Sequence, residues 1–422
     1  MWILIAVVLM AFGAPIACCL GASALYYYAF VGNINMSAFP TTLYSSINSF
    51  TFLAIPFFIL AGNLMNASGV TDKLINLSKA MVGGLQGGLG HVSVIANMFF
   101  ATISGSAVAS CAAIGSIMIP SLEEDGYDKA QATGICVASS CIGPMIPPSI
   151  PMIVYSITAG TSIAAMFLAG AVPGVILGLM LMLYCTYLAK KNNIVATRKF
   201  SFRVLWKTFL DSLVALVMPV IILGGIYGGM YTPTEAATIA VFYAIVVGLF
   251  VTKKLKLKHM PKILFDSAVA SSVLMLVVGM ATALSRILTI LQIPQAIANE
   301  LTAMTSNKII ILLLLNLLLL FVGCLMDLGA AVVMFVPCLL PLAEQLGLNL
   351  VHFGAMVTIN LIIGFFTPPV GVCLYVGTSV GNVTIEELCK VIMPFVVIGI
   401  ALALIVTFVP AVTLWLPTMM GY

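Results

Sequence analysis

Gly143-Pro144-Met145-Ile146-Pro147-Pro148-Ser149-Ile150-Pro151 and Gly364-Phe365-Phe366-Thr367-Pro368-Pro369-Val370-Gly371 interrupt two apolar stretches, 130–158 and 351–379. Consecutive prolines remove N–H donors and collide with the preceding turn, so neither stretch can run as one continuous helix. Free carbonyls in the middle of an apolar segment are tolerated only beside a polar cavity or inside protein. The Pro-Pro pairs lie 221 positions apart, and the same shift carries Pro40 onto Pro261, Pro120 onto Pro341 and Pro173 onto Pro394. Gly126, Gly143, Gly160 and Gly178 fall on Gly347, Gly364, Gly381 and Gly399 in the same way. The chain reads as an internal repeat whose halves share their helix-breaking pattern.

Outward from the breaks, composition sets the class. Of 422 residues, 62% are apolar and 7% charged, against roughly 45–50% and roughly 25% in soluble domains. A soluble enzyme is excluded. The formal charge is only +4, and no continuous basic face exists to hold phosphates, so nucleic acid is not a partner. About 20 helical residues cross a bilayer core of about 30 Å, which predicts an all-α polytopic membrane protein. The first repeat, 1–190, is expected to hold spans 2–31 and 44–69, a hairpin 91–121, the broken helix 130–158 and a helix 162–189. A basic cytoplasmic loop and a connecting span occupy 191–232. The second repeat, 233–422, is expected to hold spans 233–251 and 266–291, a hairpin 308–343, the broken helix 351–379 and a helix 388–416. Ten cysteines without C-x-x-C pairing and three isolated histidines offer no metal centre, and no covalent cofactor is implied.

Lys190, Lys191, Arg198, Lys199, Arg203 and Lys207 form one basic cluster, and Lys253, Lys254, Lys256, Lys258 and Lys262 another. The positive-inside rule places both in the cytoplasm, the N-terminus with them and the C-terminus in the periplasm. Anionic membrane lipid is a second use for the same charges. The loop at 33–42 then falls outside while its counterpart at 254–263 is inside. The halves are therefore expected to be inverted, a pattern that accompanies alternating access.

Each half carries a hairpin: 91–121, with arms of only about 23 Å that need not span the bilayer, turns at Ser104-Gly105-Ser106, and its counterpart at 308–343 turns near Gly323-Cys324-Leu325-Met326-Asp327. Free carbonyls with Ser104, Ser106, Thr367 and Ser149 make neutral oxygen cages suited to Na+. Half-helices starting at the tips point their positive ends at an anionic cargo. Tight helix packing is the alternative use of Ser and Gly here. Asp327, inside an apolar run, is a functional candidate; structural bonding to hairpin backbone and proton coupling stay open beside Na+. Arg286 is expected to snorkel rather than meet a substrate carboxylate. Glu235, three residues after Thr232, opposes the dipole of its own helix.

Phe58-Ile59-Leu60-Ala61-Gly62-Asn63-Leu64-Met65, Ser104-Gly105-Ser106-Ala107-Val108-Ala109, Ile114-Gly115-Ser116-Ile117-Met118-Ile119-Pro120, Ile146-Pro147-Pro148-Ser149-Ile150-Pro151-Met152-Ile153-Val154-Tyr155, Tyr231-Thr232-Pro233-Thr234-Glu235-Ala236-Ala237 and Thr367-Pro368-Pro369-Val370-Gly371-Val372 stand in this order along the chain. Together they closely resemble the large membrane subunit of tripartite ATP-independent periplasmic (TRAP) transporters, within the ion transporter superfamily. The resemblance implies a bacterial inner-membrane, Na+-driven, elevator-type importer of an organic acid. It also implies two partners, a small four-helix membrane subunit and a soluble periplasmic substrate-binding protein. Carried over, the substrate region falls on Ser104, Ser106, Pro147, Pro148, Asp327, Thr367, Pro368 and Pro369. Na+ falls on Ser104, Gly105, Ser106, Gly143, Gly323, Asp327, Gly364 and Thr367. Met326-Asp327-Leu328-Gly329 and Leu284-Ser285-Arg286 depart from the family pattern. A stand-alone Na+- or H+-coupled anion transporter of the same superfamily, or a channel, is the competing reading. Asp327 lacks the second carboxylate or histidine that an intramembrane hydrolase needs.

Overall fold

A computed structural model describes residues 2–32, 34–194, 200–305 and 307–422; Arg198 and Lys199 of the first basic cluster lie outside them. All regular structure among the described residues is helical. The chain opens with α1 (Trp2–Ala11), α2 (Ile16–Tyr26), α3 (Ala38–Ile47), α4 (Ala54–Ala67) and the amphipathic α5 (Val70–Val82). There follow α6 (Gly88–Ser104), α7 (Ala107–Glu124), α8 (Lys129–Ser140), α9 (Ile150–Ala159) and α10 (Ile163–Lys191). The connecting α11 (Phe202–Tyr227) leads to α12 (Pro233–Val246), α13 (Met260–Ile290) and α14 (Ile293–Met304). The chain closes with α15 (Lys308–Leu325), α16 (Leu328–Gln345), α17 (Leu350–Gly364), α18 (Val372–Gly381), α19 (Ile385–Phe408) and α20 (Ala411–Met419). Nine helical segments among the described residues are long and apolar enough to cross a bilayer. The protein is a multi-pass membrane protein.

Helix starts recur along the chain. Those of α6, α7, α8, α9 and α10 precede those of α15, α16, α17, α18 and α19 by 220 to 222 positions, and the caps recur with them. A helix that begins away from bulk water must satisfy its first N–H groups with side chains. Ser106 accepts from Ala109 N at the start of α7, and Asp327 accepts from Gly329 N at the start of α16. Asp128 and Asn349 cap α8 and α17; Ser162 and Thr384 cap α10 and α19. Thr232 and Glu235 form a reciprocal capping box on α12, which gives Glu235 the structural role its position predicts.

Three expected spans are subdivided. Residues 2–31 are not one rod. Gly13, at φ +77°, and Pro15 end α1, which folds back against α2; at 10 residues it is about 15 Å long. Within the expected loop at 33–42, residues from Ala38 onward are helical, because Pro40 falls in the first turn of α3 where its missing N–H costs nothing. The expected span 44–69 is accordingly the end of α3 plus α4, separated by a bend at Asn48-Ser49. The expected helix 388–416 stops at Phe408, and Pro410 starts the separate α20.

Two groups of helices meet around the interruptions. α4 packs on α12 and α13, and α2 and α3 pack on α13. In the other group α7 lies against α8 and α18, α15 against α17, and α9 against α16 and α17. α13 touches α16, and α4 touches α6.

Candidate binding site at four helix interruptions

The first hairpin turns on Gly105, which sits in the left-handed region at φ +58°. A Cβ there would run into the carbonyl oxygen of Pro148, so glycine lets the hairpin tip rest directly on the break between α8 and α9. The break itself is wholly buried, and its Pro147–Pro148 peptide bond is cis. Ser149 ties it off. Its hydroxyl donates to Pro144 O, and its oxygen accepts from Met152 N to cap α9.

Oxygens crowd beneath this tip. The Ser104 hydroxyl lies 3.4 Å from Ser106 O and 3.2 Å from Ser110 Oγ. A Cβ on Gly143 would stand 2.9 Å from Ser140 O, 3.0 Å from Ser110 Oγ and 3.1 Å from Ser106 O. Glycine at 143 therefore leaves room where three neutral oxygens converge, with the Ser104 hydroxyl beside two of them, the chemistry a hard monovalent cation prefers.

The second hairpin meets its break differently. Gly323 of α15 and Gly364 of α17 are in backbone contact, a Cβ on Gly364 falling 2.6 Å from Gly323 Cα. Gly371 N donates to Cys324 O at 2.9 Å and Cys373 N to Phe365 O at 3.0 Å, which pins the break to the end of α15. The Thr367 hydroxyl donates back to Ile363 O at 2.7 Å. Here too the Pro-Pro bond, Pro368–Pro369, is cis. Unlike the first break, this one reaches the surface: Thr367 and Pro368 are half-buried and Pro369 is exposed.

All four interruptions touch one cavity of about 90 Å³. Gly105 and Ser106 come from the first tip, Pro144 and Ile150 from the first break, Asp327 and Gly329 from the second tip, and Phe365 from the second break. Leu274 of α13 closes one side. An adjoining cavity of about 320 Å³ shares Ser106 and Leu274 and adds Ser104, Asn63 and Asn66.

Ser106 and Asp327 are 221 positions apart, cap equivalent helices and line the same small cavity. Their chemistry differs. Ser106 leaves the positive end of α7 uncompensated, whereas the Asp327 carboxylate, 2.9 Å from Gly329 N, neutralises that of α16. The oxygen neighbours differ as well, since the positions matching Ser104 and Ser110 are Leu325 and Ala331. One tip offers neutral oxygens and a positive helix end; the other offers a carboxyl group.

Of the residues singled out in the sequence, Gly105, Ser106 and Asp327 line the shared cavity, and Ser104 lines its neighbour. Gly143, Gly323 and Gly364 act through close backbone approach. Pro147, Pro148, Thr367, Pro368 and Pro369 build the breaks and stand outside the lining of both cavities. Arg286 is also elsewhere: its guanidinium donates to the Thr42 hydroxyl at 2.7 Å, tying α13 to α3. Ser110, Asn63 and Asn66 were not anticipated. Ser110 had a signal, lying one helical turn beyond Ser106 on the same face, and Asn63 had another as an amide within the apolar run 58–65.

Comparison with known proteins agrees with this architecture. The family model described as the tripartite ATP-independent periplasmic transporter, DctM component, matches residues 3–412. The chain belongs to this family. It is 42% identical over 404 residues to the isethionate TRAP transporter permease DctMQ of Oleidesulfovibrio alaskensis, covering 96% of this chain and 64% of that protein. It is 37% identical over 412 residues to the sialic acid TRAP transporter large permease SiaM of Vibrio cholerae, covering 97% and 96% of the two chains. Both relatives are transport permeases rather than enzymes. The crystal structure of the YdaH transporter of Alcanivorax borkumensis superimposes with a TM-score of 0.64 at 14% identity, covering 96% of this DctM-family chain and 97% of that one. At that identity the likeness speaks for the fold alone.

Proposed function

We propose that this DctM-family chain is the large membrane subunit of a Na+-coupled importer of an organic acid, resident in a bacterial inner membrane. The observation that carries the reading is the convergence of Ser106 and Asp327 on one cavity. A carboxylate beside an anion site repels the cargo unless a cation sits with it. Na+ held near Asp327 makes the cavity hospitable to an organic anion, and the positive end of α7 then favours that anion by roughly 0.3–1 kcal/mol. A second Na+ fits among the oxygens of Ser104, Ser106, Ser110 and Ser140. Cation binding thus precedes or accompanies cargo binding, which is the linkage a symporter needs.

The repeating helix starts support two inverted halves, with α6–α7 and α15–α16 as re-entrant hairpins entering from opposite faces. The basic clusters support a cytoplasmic position for Lys190, Lys191, Arg203, Lys207 and residues 253–262, with the C-terminus in the periplasm, while the fold-back of α1 removes the single crossing that a cytoplasmic N-terminus requires. The α4, α12 and α13 group serves as the fixed wall of an elevator, and the hairpins and broken helices form the moving part. The family is tripartite by its description. A small four-helix membrane subunit and a periplasmic binding protein therefore complete the machine. Sialic acid and isethionate, named for the relatives, are acidic cargoes of the proposed class.

The test is uptake into proteoliposomes holding the chain with both partners, with and without an inward Na+ gradient. Succinate, sialic acid and isethionate form the panel. Accumulation that needs both Na+ and the binding protein is the expected result. Accumulation driven by a proton gradient alone would assign the coupling to Asp327 as a proton carrier and overturn Na+ coupling.

A further inference from the structure

The cavity beside Ser104 and Ser106 does not end there. It shares Asn63, Asn66, Ala109 and Ala112 with a further cavity of about 440 Å³ that reaches Gly69, Asp72 and Ser116. The three cavities form one lane from the hairpin tips, between α4 and α7, to the start of α5. Lys254, from the second basic cluster, stands at its mouth. Its ammonium is 3.0 Å from Asp72, and a Cβ on Gly69 would lie 2.7 Å from Lys254 Nζ, so the lysine stem lies directly across that glycine.

The lane wall on α4 is amide rather than charge. The Thr71 hydroxyl donates to Asn66 Oδ1 at 2.9 Å, which leaves the Asn66 N–H groups as donors for a ligand. Asn63 Nδ2 donates to Ser267 Oγ at 2.8 Å, which leaves its carbonyl oxygen as an acceptor. One donor for a carboxylate stands one helical turn from one acceptor for a hydroxyl, on the side opposite Ser104 and Ser106. Gly62 brings that wall close, since a Cβ there would lie 3.3 Å from Ser104 Cα.

We propose that Asn63 and Asn66 form a release-side subsite for the organic anion on the route to the face carrying Lys254. The inference rests on the transport reading above. A leaving anion needs contacts strong enough to replace water and weak enough to let go. Neutral amides meet that need, and the Asp72–Lys254 pair leaves the mouth without a net charge to trap or repel the cargo.

Two experiments test it in the complete three-component assembly. With Cys18 and Cys389, the cysteines that are not buried, replaced by serine, Asn66→Cys is expected to react with a membrane-impermeant thiol reagent in inside-out vesicles and not in right-side-out vesicles. No reaction from the inside-out face overturns the lane, whatever the assembly transports. In uptake of the same organic-acid panel, Asn66→Asp is expected to lower the maximal rate roughly tenfold through like-charge repulsion. Half-activation by Na+ stays at the wild-type value. Uptake by Asn66→Asp at the wild-type rate overturns the subsite, as does a parallel shift in Na+ half-activation, which would place Asn66 in the cation site. Absence of Na+-dependent uptake by the wild-type assembly is a different failure: it overturns the transport reading, while the labelling result still decides the lane.

Discussion

Single atoms separate the two tips. Ser110 Oγ is one of three oxygens around the space left by Gly143, so Ser110→Ala removes a ligand without touching the cavity wall or a helix cap. Its half-activating Na+ concentration should rise roughly three- to tenfold, with uptake at saturating Na+ kept, as one lost hydrogen-bond-sized contact implies. Unchanged Na+ activation would remove Ser110 from the cation site. Asp327→Asn keeps an acceptor for Gly329 N and deletes the charge, so α16 should stay capped while the Na+ near Asp327 is lost and the one among the serine oxygens is kept. A thermal melt near wild type together with a shallower Na+ dependence of uptake is the expected pair of readings. Gly364→Ala tests a different quantity, since its Cβ would press on the Gly323 backbone. Overpacking of this kind costs about 1–3 kcal/mol, and a lower melting temperature in detergent is the check.

Elements act here through where they stop. α7, α9 and α16 all begin at the interruptions, and each relies on one side-chain acceptor there. Ser149 also holds the Pro144 carbonyl, joining both sides of the first break. Ser149→Ala should therefore destabilise the permease by about 1–2 kcal/mol, while Ser149→Thr, which keeps the hydroxyl, recovers most of that; unfolding midpoints of the two variants decide the matter. The helix breaks at residues 143–151 and 364–371 were legible because proline chemistry is local. The fold-back at Gly13-Pro15 was not, because the mostly apolar stretch 2–31 satisfies the length rule for a span whether or not it is straight. The amphipathic α5 lies outside every expected element, and it is α6 and α11 packing on it that fix its place.

For the molecule as a whole, the family's tripartite description sets the expectation that this chain does not work alone. Proteoliposomes holding it without the small subunit and binding protein should accumulate none of the organic-acid panel, even under an inward Na+ gradient. Robust accumulation by the chain alone would return the protein to the stand-alone transporter reading.

Membrane residence, the two Pro-Pro breaks, the hairpin turns and the family were all readable along the chain, because apolarity, proline and capping residues act within a few positions of themselves. The meeting of Ser106 with Asp327, the gathering of Ser110 and Ser140 oxygens at Gly143, and the facing of Asn63 and Asn66 toward Ser104 were not readable. Each joins residues that are neighbours only after helices cross, and the angle and depth of a crossing are settled by packing among many helices at once.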